Sequence, residues 1–228
     1  MTKTTPHIEE MFQAGVQFAF VKSRRHPSVK PYIFGVKNKT EIFDLEKTST
    51  LLEKALVFVA DLAKAGKTIL FVGGKAEARV AVEEVANSLG MPFVASRWIG
   101  GTLTNLPEIK KRVEKLRDLS VQKERGELAK YTKKERLLID REIDKLNMMY
   151  GGLGDFKEVP GAVVVIDAKH EAIAVEEAAK KNIPVIALCG SDNNLKEVTY
   201  PIVGNDSSKS SILFFLKQIA KTYSGSKK

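Results

Sequence analysis

The sequence predicts a three-layer α/β/α protein, in which a parallel sheet lies between two layers of helices and carries an inserted helical hairpin. Three observations favour this class. Short apolar runs typical of buried strands recur along the chain, amphipathic helices alternate with them, and glycines mark several of the boundaries. The length of 228 residues fits one α/β domain with an insertion.

Residues 1–45 are expected to form a short helix and a basic β-hairpin. In the run 31–45 (PYIFGVKNKTEIFDL), apolar residues alternate on both sides of Asn38-Lys39, where the turn is expected. A helix is then predicted over 47–65, because apolar residues recur there at helical spacing, and Gly66 ends it.

The sheet domain is expected to comprise residues 46–104 and 151–228. The predicted elements are strands over 68–72 (TILFV), 92–94, 162–166 (AVVVI), 183–188 (IPVIAL) and 202–203, and helices over 76–89, 171–181 and 208–223. Strands that alternate with helices form parallel sheets covered on both faces. The architecture is therefore flavodoxin-like or Rossmann-like, and its ligands are expected at the carboxyl ends of the strands.

The inserted segment, residues 105–150, has a different pattern. Apolar residues recur there at steps of three and four among many charged ones, which indicates two helices with narrow apolar stripes. Asn105 with Glu108, and Thr132 with Glu135, match the capping-box pattern, and Gly126 separates them. We expect an antiparallel helical hairpin that protrudes from the sheet domain.

Composition excludes several classes of protein. No apolar run approaches the roughly 18 residues that a membrane span requires, and the first residues lack the features of a signal peptide. Cys189 is the only cysteine, so an internal disulfide and a thiolate zinc site are excluded. We expect a cytoplasmic protein without a membrane partner.

The positive charge is concentrated in two stretches. The net charge is +9, yet residues 21–40 carry six cations and residues 207–228 carry five, with no acid in either stretch. The other 186 residues together carry −2. A near-neutral protein with two cationic flanks favours a polyanionic partner such as RNA, although lysines that serve only solubility are the alternative.

Enzyme signatures are incomplete. The Gly66-Lys67-Thr68 triplet follows a helix and lacks the earlier glycine of a phosphate-binding loop. The Gly73-Gly74 turn follows a strand and opens a helix, a suitable place for an anion, but it lacks dinucleotide-binding spacing. A nucleotide-binding α/β enzyme that uses this turn is the alternative function. The histidines are too scattered for a metal site, and we expect neither a metal nor a small-molecule substrate.

The segment 97–105 (RWIGGTLTN) combines the only tryptophan with an arginine, two glycines and three hydroxyl or amide side chains. It is either a structured corner around a buried Trp98 or an exposed recognition loop, and both can hold together. Arginine pairs with phosphate, and threonine or asparagine binds ribose and phosphate oxygens.

This segment closely resembles the RWxGGxLTN signature of the small-subunit ribosomal protein S-two family in its bacterial form. Further matches follow in family order: KPYIFG at 30–35, DLEKT at 44–48, LFVG at 70–73, IPVIAL at 183–188, YPI at 200–202 and GND at 204–206. The 105–150 hairpin is similar to the protruding helical arm of bacterial members. The resemblance extends over nearly the whole chain.

The resemblance implies a non-catalytic, structural constituent of the small ribosomal subunit without a cofactor. It implies binding to small-subunit (16S) rRNA and contacts with neighbouring ribosomal proteins, including help in docking ribosomal protein S-one. The residues expected at the RNA are Lys22, Arg24, Arg25, His26, Lys30, Lys37, Lys39, Arg97, Trp98, Gly100, Gly101, Thr102, Thr104, Asn105 and Lys209.

Two segments depart from the family pattern. Residues 15–20 read GVQFAF where the family has a histidine-containing GVHFGH, and residues 189–195 read CGSDNNL where it has an acidic DTNxDP loop. Contacts that the family makes through those residues do not carry over to this chain.

Overall fold

Five parallel strands form the central sheet, which confirms the predicted α/β class. The computed structural model describes residues 6–154, 156 and 158–226. The strands of this sheet are β4 (Ile69–Val72), β5 (Phe93–Val94), β6 (Ala162–Ile166), β7 (Val185–Cys189) and β8 (Tyr200–Val203). Their spatial order, β5-β4-β6-β7-β8, is the flavodoxin-like order.

Helices cover both faces of this sheet. Along β4, Ile69 and Phe71 face one apolar core, whereas Leu70 and Val72 face the other, because successive side chains of a strand point to opposite faces. The helices packed around the sheet are α1 (Pro6–Gln13), α2 (Leu45–Lys64), α3 (Ala76–Leu89), α6 (Ala172–Lys180) and α7 (Lys209–Ser226). The apolar runs of the sequence are therefore continuous, as expected of strands buried on both sides.

A second, antiparallel sheet precedes the central one. It consists of β1 (Phe18–Val21), β2 (Ile33–Lys37) and β3 (Thr40–Phe43) in the order β1-β3-β2. The β2–β3 hairpin confirms the prediction, and both Asn38 and Lys39 adopt positive φ in its turn. The sequence analysis missed β1, since its pairing with β3 spans about 20 residues and leaves no local turn signal.

The segment 105–150 forms two helices, α4 (Leu106–Glu124) and α5 (Lys133–Tyr150). Ion pairs Lys115–Glu142 and Lys123–Asp140 join them in antiparallel orientation. The capping box at Thr132 is confirmed by reciprocal bonds with Glu135. The protrusion of this pair, and the domain boundaries at 45, 105 and 150, stay predictions.

The predicted capping box at Asn105 is wrong. Its side chain makes no capping bond to the N–H of Glu108, the third helical residue. The N–H of Glu108 donates instead to the Asn105 carbonyl, and the Glu108 carboxylate pairs with Lys111 at 2.6 Å.

Of the helices within the described ranges, none combines the length and apolarity of a bilayer span.

Candidate nucleic-acid interface

The loops that follow the five parallel strands open on one edge of the sheet, its carboxyl edge. Ser96 follows β5, Gly74 follows β4, Asp167 follows β6, Ser191 follows β7 and Asp206 follows β8. Most of the residues that the sequence analysis selected lie in these loops or in segments that contact them. Ligands of open α/β sheets bind at this edge.

The basic N-terminal segment is fastened to the loop after β7. The Phe20 N–H donates to the Ser191 hydroxyl at 3.0 Å, and the His26 N–H donates to the Ser191 carbonyl at 2.8 Å. The Leu195 N–H donates to the Ser28 hydroxyl at 3.1 Å. Residues 189–195, which depart from the family pattern, therefore hold the basic segment against the sheet domain.

Two arginines of this segment are bound by carboxylates from elsewhere in the chain. Arg25 pairs with Glu41 at 2.6 Å, and the Glu41 side chain is 1% exposed. Arg24 pairs with Asp192 at 3.2 Å and lies over the Phe20 ring, 3.9 Å from its centroid. The acid-free window 21–40 is thus partly neutralised by residues that lie outside it.

Four lysines of the same segment remain free. Lys22, Lys30, Lys37 and Lys39 are exposed, and none of them forms an ion pair with a residue that the structure describes. Lys37 ends β2, and Lys39 lies in the hairpin turn. They form a basic patch, which we call the lysine patch.

His26 has a structural contact of its own. Its Nδ1 lies 2.8 Å from the Ser28 hydroxyl and accepts from the Ser28 N–H at 3.3 Å, which caps the 3₁₀ turn Pro27–Tyr32. The ring is half-buried. The structure therefore gives His26 a capping role, and its expected contact with RNA stays a prediction.

The loop 97–105 is organised around one buried carboxylate, that of Glu177 on α6. The N–H groups of Gly101, Leu103 and Thr104 donate to it at 2.7, 3.0 and 3.1 Å. The Trp98 indole and the Thr104 hydroxyl donate to it as well, at 3.2 and 3.1 Å. Glu177 is 5% exposed, so this loop is fixed by a charge-assisted network inside the protein.

These hydrogen bonds also set the charge state of Glu177. Burial by itself would raise the pKa of the carboxyl group. The N–H donors of Gly101 and Leu103, together with the Trp98 indole, outweigh burial and hold the pKa below its ordinary value. Glu177 is therefore a carboxylate at neutral pH and binds the loop as an anion.

The expected RNA-binding residues of this loop divide into two groups. Trp98 and Thr102 are 5% and 1% exposed, and the Thr102 hydroxyl donates to the Ile99 carbonyl. Their side chains have no surface to offer RNA in this structure, because they form the inside of the corner. Arg97, Gly100, Thr104 and Asn105 are exposed, and Gly101, at a φ of +96°, makes the turn.

A cleft of about 400 Å³ lies beside this loop, near the point where the strand order reverses. Its basic side chains are those of Arg79, Arg97 and His170, and the Glu171 carboxylate lines it as well. The Arg79 Nε–H donates to the Gly74 carbonyl at 3.1 Å, which directs this side chain towards the cleft. The sequence analysis missed Arg79, although its position in the first turn of a helix that follows a strand end was a usable signal.

The N–H groups of the Gly73-Gly74 turn are already bonded to other groups of the protein. The Gly74 N–H, which an anion would use, donates to the buried Glu171 carboxylate at 2.9 Å. A Cβ at Gly74 would lie 2.6 Å from the Ser96 carbonyl oxygen, so the turn is tightly enclosed. The turn therefore requires glycine for close packing and leaves no free amide for a nucleotide phosphate.

Lys75, the next residue, forms ion pairs within the protein at the same edge of the sheet. Its ammonium lies 2.5 Å from Asp167 and 3.0 Å from Asp206. Burial alone would lower the pKa of Lys75, but the attraction of Asp206 and Asp167 outweighs it and raises the pKa. The ammonium is charged at neutral pH and offsets the charge of one carboxylate, while burial, with the nearby Asp167, raises the pKa of Asp206 above its ordinary value.

Lys209 lies at the start of α7, next to the link between α1 and β1. The adjacent Ser210 hydroxyl donates to the Ala14 carbonyl at 2.8 Å, and the Asn205 N–H donates to the Val16 carbonyl at 3.0 Å. Lys217 and Lys221 follow along α7, and Lys227 and Lys228 lie outside the described residues.

In the part of the chain that the structure describes, no cluster of three potential metal ligands occurs.

Comparison with known proteins bears on these features. The sequence model of the family described as Ribosomal protein S2 matches residues 11–225. A protein of Nitratiruptor sp., named small ribosomal subunit protein uS2, is 42% identical over 214 residues, which cover 94% of this chain and 80% of the relative. This chain belongs to the ribosomal protein S2 family.

A second relative, from Sulfurimonas denitrificans, bears the same name and is 40% identical over 214 residues, which cover 94% of this chain and 83% of that protein. Membership confirms the resemblance that the RWIGGTLTN loop indicated. It also makes this chain a structural, non-enzymatic protein, so the alternative of a nucleotide-binding enzyme is set aside. The internal occupation of the Gly73-Gly74 turn agrees with that conclusion.

Proposed function

We propose that this structural constituent of the small ribosomal subunit binds small-subunit (16S) rRNA through two cationic regions at the carboxyl edge of its sheet. One region is the lysine patch, and the other is the cleft lined by Arg79, Arg97 and His170. The segment that carries the lysine patch is held against the loop after β7, and the cleft is lined by residues that follow β4, β5 and β6. Both regions can contact phosphates of a folded RNA.

The observation that carries the proposal is the contrast within the N-terminal segment. Arg24 and Arg25 are held by carboxylates, whereas Lys22, Lys30, Lys37 and Lys39 have no such partner among the described residues. Free lysines on a fixed scaffold neutralise phosphates and release counterions when RNA binds.

In the second region, we assign direct contact to Arg97 and Asn105 and a positioning role to the residues behind them. Arg97 is exposed and can form a bidentate contact with a phosphate. The Glu177 network fixes the loop before RNA arrives, so binding costs little ordering of the backbone. Folded RNA is read largely through its shape, its phosphates and its 2′-hydroxyls, which suits this surface.

We also propose that the α4–α5 pair contacts neighbouring proteins of the subunit, with ribosomal protein S-one as the candidate partner that the family resemblance implies. The supporting observation is that Leu137, Leu138 and Met148 on α5 are more than half exposed. Such apolar residues suit a protein neighbour. We place the protein in the cytoplasm, on the ribosome, and retain residues 105–150 as a separate structural unit.

The test is sedimentation of a tagged copy on sucrose gradients, with and without RNase. The wild-type chain is expected to sediment with small subunits and to be released by RNase. The triple variant Lys30→Glu, Lys37→Glu, Lys39→Glu is expected to dissociate at lower salt and to show a shallower dependence on salt. The control is Lys64→Glu at the opposite edge of the sheet. A free pool that RNase does not affect would contradict the proposal.

A further inference from the structure

His170 is held by a buried carboxylate in the cleft that Arg79 and Arg97 also line. It lies in the turn between β6 and α6, where its Nδ1 is 2.8 Å from the Glu171 carboxylate. The Glu171 side chain is 3% exposed, whereas the His170 side chain is 49% exposed. The imidazole is therefore fixed through one nitrogen, while the rest of the ring is open to a ligand in the cleft.

The contact with Glu171 decides which ring nitrogen carries the hydrogen. A carboxylate only accepts hydrogen bonds, so Nδ1 donates to it. The neutral ring then presents a lone pair at Nε2, which has no hydrogen-bond partner among the described residues. A lone pair does not bond a phosphate oxygen, whereas the N–H of a protonated Nε2 does. With Glu171 in place, His170 can therefore bind phosphate through Nε2 only as the imidazolium.

The charges near the ring oppose one another before RNA binds. In the described structure they are Arg79 on α3, Arg97 in the loop after β5, Glu171, Asp167 with its partner Lys75, and Lys169 with its partner Asp192. The two arginines of the cleft repel an imidazolium, and the Glu171 carboxylate attracts it. A phosphate placed between the arginines adds a negative charge to this set and so favours the protonated ring.

We propose that His170 binds a phosphate of the rRNA as an imidazolium, so that association with the small subunit takes up one proton. The proton comes from solvent and is added to Nε2, and no bond of the RNA changes. This inference rests on the proposed function and adds a pH-dependent contact to it. His170 makes the direct contact, and Glu171 is a positioning residue that fixes the tautomer. Because histidine changes charge between about pH 5 and 8, the affinity rises as the pH falls through that range.

The experiment measures the affinity of the purified chain for small subunits from which this protein has been stripped, over a series of pH values and salt concentrations. His170→Gln keeps an N–H donor for Glu171 but never carries a charge. His170→Lys is charged throughout the range. The matched control is the double variant His7→Gln, His26→Asn, in which His170 is the only histidine of the chain.

We expect the wild-type affinity to fall by about tenfold between pH 6 and pH 8. His170→Gln is expected to bind at the lower level, and His170→Lys at the higher level, at every pH. The double variant keeps the pH dependence of the wild type. The slope of log affinity against log salt is steeper by about one at pH 6 than at pH 8 for the wild type, because one more phosphate is neutralised. For His170→Gln the two slopes are equal.

A wild-type pH dependence that persists in His170→Gln would overturn this inference alone, since the proton would then bind elsewhere. RNase-sensitive binding by the wild type with the same affinity and salt slope at both pH values would also overturn it alone, and this measurement needs no variant. Loss of RNase-sensitive binding by the wild-type chain would overturn the proposed function and this inference together. Melting temperatures serve as the folding check, and those of the His170 variants are expected to stay close to the wild-type value because the side chain is half exposed.

Discussion

Arg25 and Glu41 form an ion pair of 2.6 Å that fixes the start of the basic segment to strand β3. Glu41 is fully buried, and its Oε1 is bound by Arg25, so the carboxylate depends on this guanidinium for its charge balance. Arg25 is therefore a structural cation, unlike the free lysines that surround it in the sequence.

Replacement of Arg25 is expected to cost stability first. Arg25→Ala leaves the Glu41 carboxylate buried without a partner, which typically costs roughly 3 kcal/mol or more. For a chain of this length, that lowers the melting temperature by about 6–12 °C. Adding Glu41→Gln to Arg25→Ala is expected to restore part of the loss, because it removes the unpaired charge. Strictly additive effects in calorimetry would contradict the pairing.

The Glu177 network gives a second stability prediction. Glu177→Ala leaves three N–H groups of the loop 97–105 without their acceptor, and we expect a loss of about 3 kcal/mol or more. Trp98 is the only tryptophan, so its fluorescence reports on this loop alone. Its emission is expected to shift to the red in the variant as water reaches the indole. An unchanged spectrum would show that the loop does not need Glu177.

The same carboxylate predicts a dependence on pH. The pKa of Glu177 in the folded chain lies below the ordinary value of 4.5, so protonation favours the unfolded chain. The stability that Glu177 supplies is complete above about pH 5 and is lost as the pH falls through the folded pKa. Melting followed by circular dichroism from pH 6 to pH 3 should show a smaller decline for Glu177→Gln. Equal declines for both proteins would contradict this origin.

Arg97→Ala is expected to weaken association with small subunits without lowering the melting temperature. The side chain is exposed, and it forms no ion pair within the described ranges, so its removal costs the fold little. A phosphate contact by a bidentate arginine is charge-assisted, and we expect a loss of about tenfold. Lys64→Ala, at the opposite edge of the sheet, is the control. Equal sedimentation of both variants would remove Arg97 from the interface.

Nucleotides are expected to find no site at the Gly73-Gly74 turn. The Gly74 N–H is already bound to Glu171, and Lys75 is bound to Asp167 and Asp206. Isothermal titration with ATP and NAD should give no saturable heat up to millimolar concentration. Saturable binding that Glu171→Gln alters would show that these internal contacts can be displaced by a ligand.

Strands and helices of the central sheet could be predicted because their signals are local. A run such as residues 162–166 is apolar at every position, and such a run in an α/β pattern has few alternatives to a buried parallel strand. The Asn105 capping box shows the limit of local patterns, since the Glu108 N–H that the pattern assigns to the Asn105 side chain donates to the Asn105 backbone carbonyl instead.

The candidate interface was less predictable, because it depends on pairs that are far apart in sequence. Arg24 meets Asp192, and Gly101 meets Glu177, across 168 and 76 residues. Neither Asp192 nor Glu177 lies in the stretches of sequence, 21–40 and 97–105, that suggested the site.

By itself, the sequence determined the α/β class, the family and the sign of the charge on the N-terminal segment, because hydrophobic period, motif spacing and net charge are sums over neighbouring residues. Only the tertiary structure decided which cations are free and which are bound. That outcome depends on which carboxylates folding brings within hydrogen-bonding distance of each cation. The short distances between Arg25 and Glu41 and between Arg24 and Asp192 arise only when the chain has folded.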